Sequence, residues 1–225
     1  MKMSAYALTK TELDQLITIA SDRYDSSISY YILRRLLAVV ENTLEHHNRV
    51  FAIRVDLRFA QDSSPDAPDM PICFQRTDER AITRFIESLK SQLRAAHHRT
   101  GRSGTPALPY YAWVRERNES EYPHYHLVLL FNRDIYGYLG NYLQDDANNM
   151  ATRIQRAWCS AIGLAYPDYA PLVNFPENPV FRFDRRDALA RHSNYFDFLL
   201  RMTYLAKMNT KELITDFRNF GTSQV

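Results

Sequence analysis

The sequence predicts an α+β fold. A split βαββαβ antiparallel sheet, ferredoxin- or RRM-like, carries helices on one face and a C-terminal helix on the other. Three observations carry that expectation. Phe51 to Phe59 alternates, with Phe51, Ile53, Val55, Leu57 and Phe59 on one face and Arg54, Asp56 and Arg58 on the other. Tyr110 to Arg117 and Tyr122 to Asn132 read as two strands of one hairpin around a polar turn. From residue 50 the order is strand, helix, strand, strand, helix, strand.

The elements follow in order. Thr9 to Ser27 has Leu13, Leu16, Ile17, Ile19 and Ala20 at helical spacing, with Thr9 or Thr11 as a cap. Ser29 to His47 is a second helix with Ile32, Leu33, Leu36, Leu37, Val40 and Leu44 inside. These helices are expected as an N-terminal extension, residues 1–48, before a domain of residues 49–225. The first strand is expected to have one packed face and one polar, partly basic face.

A loop rich in Asp, Ser and Pro runs from Gln61 to Arg76. Thr77 to His98 is helical, with Ile82, Phe85, Ile86, Leu89 and Leu93 as its inner stripe. After the hairpin, Asp134 to Ile162 reads as largely helical and stops at Gly163. Leu172–Phe175 and Val180–Phe183 offer short strands. Arg186 to Met208 reads as the last helix, followed by a polar tail.

Composition narrows the function classes. With 225 residues, 45% apolar, the chain can build a sizeable core. A net charge of +2 permits a nucleic-acid partner without demanding one. Cys73 and Cys159 lack metal-ligand spacing and fit a reducing compartment. No signal-peptide pattern and no membrane-length apolar run is present, so a soluble, cytoplasmic protein with no membrane partner is expected.

The chemistry concentrates in the hairpin. His124 and His126 are two apart on a strand and share a face. Glu116 lies eight residues upstream; a turn centred on Ser120 places it opposite His124. Two nitrogens, one carboxylate and open positions suit a catalytic divalent metal. Glu119, Glu121 and Asp56 are alternatives for the third ligand. On the last helix Tyr204, Lys207 and Lys211 fall on one polar stripe.

A two-histidine strand followed by Tyr204-Leu205-Ala206-Lys207 resembles the HUH endonucleases, which include rolling-circle replication initiators, relaxases and related transposases. The middle position, usually bulky and apolar, is Tyr125 here. The landmarks Arg54-Val55-Asp56-Leu57, Trp113-Val114-Arg115-Glu116, Pro123-His124-Tyr125-His126-Leu127, Ala157-Trp158 and Arg218-Asn219-Phe220-Gly221-Thr222-Ser223 are closer still to the inovirus (filamentous phage) replication proteins. That resemblance covers residues 48 to 225.

The resemblance implies Mg²⁺ or Mn²⁺ held by His124, His126 and a carboxylate, here Glu116. It implies attack by Tyr204 on single-stranded or hairpin origin DNA, giving a 5′-phosphotyrosine and a free 3′-OH. A host helicase and polymerase are implied partners. An isolated tyrosine titrates at about 10, so Lys207 and the metal would favour the phenolate. With Leu200 and Met208 four residues either side, Tyr204 is expected as a single nucleophile. Arg54, Arg58, Arg115 and Lys211 are candidate DNA contacts; Trp113 and Trp158 are expected in the core. Two rival functions remain: a non-catalytic DNA-binding regulator on this fold, and a metal-dependent phosphodiesterase without a covalent intermediate.

Overall fold

The computed structural model describes residues 4–61, 75–101, 103–117, 122–208 and 218–224. The fold is α+β: one open, antiparallel six-stranded sheet between two helical layers. In chain order come α1 (Lys10–Tyr24), α2 (Tyr30–His46), β1 (Arg49–Leu57), α3 (Ala81–Arg99), β2 (Tyr110–Glu116) and β3 (His124–Asn132). Then follow α4 (Met150–Ile162), β4 (Val173–Asn174), β5 (Val180–Asp184), α5 (Arg185–Leu189), α6 (Ser193–Thr203) and β6 (Phe220–Thr222). The sheet order is β4-β1-β3-β2-β6, and β5 also pairs with β1.

Strand alternation sorts the side chains into two cores. Phe51, Ile53, Val55 and Leu57 of β1 face one way, packing with Leu127, Leu129 and Phe131 of β3 against α3 and α4. Trp113 and Trp158 are buried there, as expected. Val50, Ala52, Ala112, Val114, Val128 and Leu130 face the other way, against α1, α2 and α6. The helices expected as an extension therefore share a core with α6 and cover the sheet face that bears the histidines. Fully burying one such aliphatic side chain stabilises by about 1.5–3 kcal/mol, so α1 and α2 contribute much of what holds that layer.

Both N-terminal helices start where cap chemistry requires. Thr9 and Glu12 form a reciprocal capping box on α1, and the Ser29 hydroxyl accepts the Ile32 N–H on α2.

Four expectations are corrected. Arg54, expected among the DNA contacts, is buried with Asp56 beneath the second helical layer, while Arg58 on the same face is exposed. The helix expected over 134–162 is only α4; turns with Gly137, Gly140, Asn141 and Asn148 precede it, and the Asn149 side chain caps its start. The last helix breaks at Arg191, whose φ of 53° lies in the left-handed region, giving α5 and α6. Finally, the tail is not free: β6 pairs with β2 at Ala112, Trp113 and Val114. Gly221 lies so close to Trp113 that a Cβ there would meet the indole at 2.6 Å, so only glycine fits this landmark position.

Candidate functional site

The site forms where three strands end together beneath the second helical layer. Asp56 near the end of β1 pairs with His126 of β3, and His124 pairs with Glu116 at the end of β2. Because these positions share the parity of Val114 and Val128, all four side chains lie on the face covered by α2 and α6. The cross-strand placement of Glu116 opposite His124 is as expected from the hairpin.

Among the described residues, Glu116, His124 and His126 form a group able to hold a metal ion. Nε2 of His124 and Nε2 of His126 are 3.1 Å apart. Glu116 Oε2 is 3.3 Å from the His126 nitrogen and 4.0 Å from the His124 nitrogen. Each separation is less than twice a metal–ligand bond of about 2.1 Å, so one ion can touch all three donors. Glu116 is only 1% exposed, which places a carboxyl group deep in the protein facing two rings.

Asp56 prepares His126 for that role. His126 Nδ1–H donates to Asp56 Oδ1 across 2.6 Å. An ionised carboxylate only accepts, so Nδ1 carries the proton of this hydrogen bond and Nε2 is the ring nitrogen that faces Glu116 and His124. Burial alone would raise the Asp56 carboxyl; the His126 hydrogen bond and the Arg54 charge outweigh it and hold the group well below the usual carboxylate range. Asp56 thus stands behind His126 and outside the group able to hold a metal ion. His124 is pushed down to about 4, first by burial and then by its neighbour His126. Its nitrogen is therefore unprotonated near neutral pH and able to bind a cation.

Tyr204 stands over this group. Its residues 204–206 form a 3₁₀ turn after α6, and Lys207 is extended. The regular helix expected through Tyr204 and Lys207 is absent, yet the turn brings the pair together: Lys207 Nζ donates to the Tyr204 hydroxyl across 3.0 Å. The same ammonium is 3.9 Å from Glu116 Oε2. The Tyr204 ring meets the His126 ring edge-on, with centroids 5.1 Å apart, and Tyr24 flanks it at 5.4 Å. Arg54 lies 5.3 Å from its centroid.

Other expected residues divide. Arg54 is 4% exposed and forms an ion pair with Asp56; it is an interior strut, not an exposed DNA contact. Arg58 is exposed, and Arg115 is half-buried beside Asn219. Lys211, Glu119, Glu121 and Cys73 lie outside the described residues. Tyr195 is 1% exposed against Phe183, and burial raises its hydroxyl well above the ordinary value. Sequence reasoning missed the α1–α2 loop. Ser29 N–H donates to the Ala206 carbonyl at 2.8 Å, and Met208 N–H to the Ser27 carbonyl at 3.0 Å. That loop sets the Tyr204 turn in place. Its only sequence signal is the run Ser26-Ser27-Ile28-Ser29, which reads as a helix break.

Known proteins are similar to this chain over most of its length. The YagK/YfjJ C-terminal domain matches residues 9–223, spanning both helical layers. YfjJ of Escherichia coli (strain K12) is 35% identical over 210 residues, 89% of this chain and 99% of that protein. YagK of the same organism is 36% identical over 196 residues, 86% and 90% of the two chains. No solved structure matches. No helix among the described residues is long and apolar enough to cross a membrane.

Proposed function

We propose that this chain, which belongs to the YagK/YfjJ C-terminal domain family, is a metal-dependent, site-specific single-strand DNA endonuclease and strand transferase. In this reading it is of the HUH type and starts rolling-circle replication of a phage or mobile element through a 5′-phosphotyrosine. One observation carries the reading. A tyrosine hydroxyl, a lysine ammonium and a Glu-His-His group share one site, linked by the 3.0 Å contact of Lys207 to Tyr204 and its 3.9 Å approach to Glu116.

The donor set of two imidazole nitrogens and one carboxylate fits Mg²⁺ or Mn²⁺, held by His124, His126 and Glu116. When bound, such an ion supplies Lewis-acid polarisation of the scissile phosphate. Tyr204 supplies the attacking oxygen. A bond forms from that oxygen to phosphorus and the bond from phosphorus to the 3′-oxygen breaks. The phenolic proton passes to solvent and the departing 3′-oxygen takes one up, so the step balances. Lys207 stabilises the developing phenolate and the phosphate charge. Asp56 and Arg54 hold His126 in the ligating tautomer throughout.

The site lies between a sheet face and a helical layer, which favours a single strand or an extruded hairpin as substrate. A host helicase and polymerase would extend the free 3′ end, and the compartment implied is the cytoplasm of a bacterial host. Replacing both His124 and His126 by alanine tests the site. Mn²⁺-dependent cleavage of single-stranded DNA should vanish while the far-ultraviolet spectrum stays native, because an open reaction site is not a structural zinc. Undiminished cutting by the double variant would put the metal elsewhere.

A further inference from the structure

We propose that the first two turns of α2 bind the unpaired bases of the DNA strand flanking Tyr204. The inference rests on the endonuclease reading and names how that site holds its substrate. Tyr30 and Tyr31 are 58% and 70% exposed on a helix that otherwise buries its large apolar residues. Neither ring has a ring contact within the protein among the described residues. Arg34 and Arg35 are exposed one turn further on, three and four positions from Tyr31 and so on the same side of the helix as that ring. Phenol rings beside guanidinium groups match a single strand, whose bases stack and whose phosphates are anionic. Arg35 reaches Thr222 of β6 at 3.4 Å, which joins this surface to the sheet edge.

The location makes the surface functional. Ile28 and Lys207 form an antiparallel bridge, and Ser29 bonds to Ala206. The start of α2 and the Tyr204–Lys207 turn are therefore one backbone unit. Tyr31 is three residues from Ile28, so its Cα is at most about 11 Å from the bridge. A strand that leaves Tyr204 along the start of α2 would meet both rings. Stacking tolerates any base, so the surface would supply affinity rather than sequence choice.

The test uses the full chain without metal and a fluorescent oligothymidylate of about thirty nucleotides, with binding read by anisotropy. Tyr30→Ala with Tyr31→Ala should weaken binding at least about tenfold at unchanged melting temperature, since stacking contributes roughly 5- to 150-fold per base. Tyr30→Phe with Tyr31→Phe should restore binding to within about twofold, because the ring face remains. Arg34→Ala with Arg35→Ala should flatten the logarithmic salt dependence by about 1.4.

The surface is overturned if the alanine pair binds within twofold of wild type, or if wild type does not bind the oligonucleotide. A wild-type protein that forms a covalent adduct while the alanine pair binds normally loses this inference and keeps the nicking reading. Weakened binding by the alanine pair, with no adduct ever formed by wild type, keeps the surface and removes the nicking reading.

Discussion

His126 donates its Nδ1 proton to Asp56 across 2.6 Å, and that one contact decides which ring nitrogen faces Glu116 and His124. Asp56→Asn offers an amide that can donate where the carboxylate only accepts, so the ring proton moves to Nε2 and blocks the ligating position. Mn²⁺ affinity, measured by calorimetry on folded protein, should fall about 10- to 100-fold. An unchanged affinity would mean that Asp56 does not set the tautomer.

Arg54 and Arg58 should behave oppositely although they sit four apart on one sequence stretch. Arg54 is buried and paired with Asp56, so Arg54→Met leaves a carboxylate inside without its cation. Unfolding in urea should show a loss of about 3–5 kcal/mol. Arg58 is exposed; Arg58→Ala should change stability by less than about 0.5 kcal/mol. If it contacts DNA, the same variant lowers the salt slope of single-strand binding by about 0.7. Equal stability of the two variants would contradict the interior role of Arg54.

Glu12 ties the N-terminal layer to the corner between α5 and α6. Its carboxylate accepts from Arg191 at 2.9 Å and from the Thr9 N–H at 2.7 Å. The Arg191 hydrogen bond chiefly, against partial burial and aided by Thr9, lowers it from 4.5 to about 2. Between those values the unfolded chain binds the extra proton, so stability is complete above 4.5 and is lost as pH falls toward 2. Glu12→Gln should melt lower at neutral pH and lose less on acidification through that window. Parallel acid melting curves for the two proteins would show that Glu12 does not carry this linkage.

Local patterns made much of this legible in the sequence. The alternation at Phe51–Phe59 and the apolar stripe at Ile82–Leu93 mark their core faces, and the symmetric hairpin places Glu116 against His124. What escaped depends on distant pairing. The partnership of Asp56 with His126 joins residues 70 apart in sequence and requires the β1–β3 register. The burial of Arg54 requires knowing that α1 and α2 cover that face. The break at Arg191 overrides an otherwise helical run because its side chain bonds to Glu12 and to the Ala7 and Ala188 carbonyls. Phe220-Gly221-Thr222 has too few residues to signal a strand alone, and its pairing with Trp113 supplies the reason for the glycine.

The proposed attack of Tyr204 on DNA is tested most directly by a single substitution. Tyr204→Phe removes only the hydroxyl and keeps the ring against His126 and Tyr24, so fold and single-strand binding should persist. Incubated with Mn²⁺ and end-labelled single-stranded DNA carrying the element's origin, wild type should yield an adduct that survives denaturation. Its peptide map should place the 5′-phosphate on Tyr204, and the phenylalanine variant should give neither adduct nor nick. An adduct that persists in Tyr204→Phe on another tyrosine, or a wild-type nick with no adduct, would contradict the account.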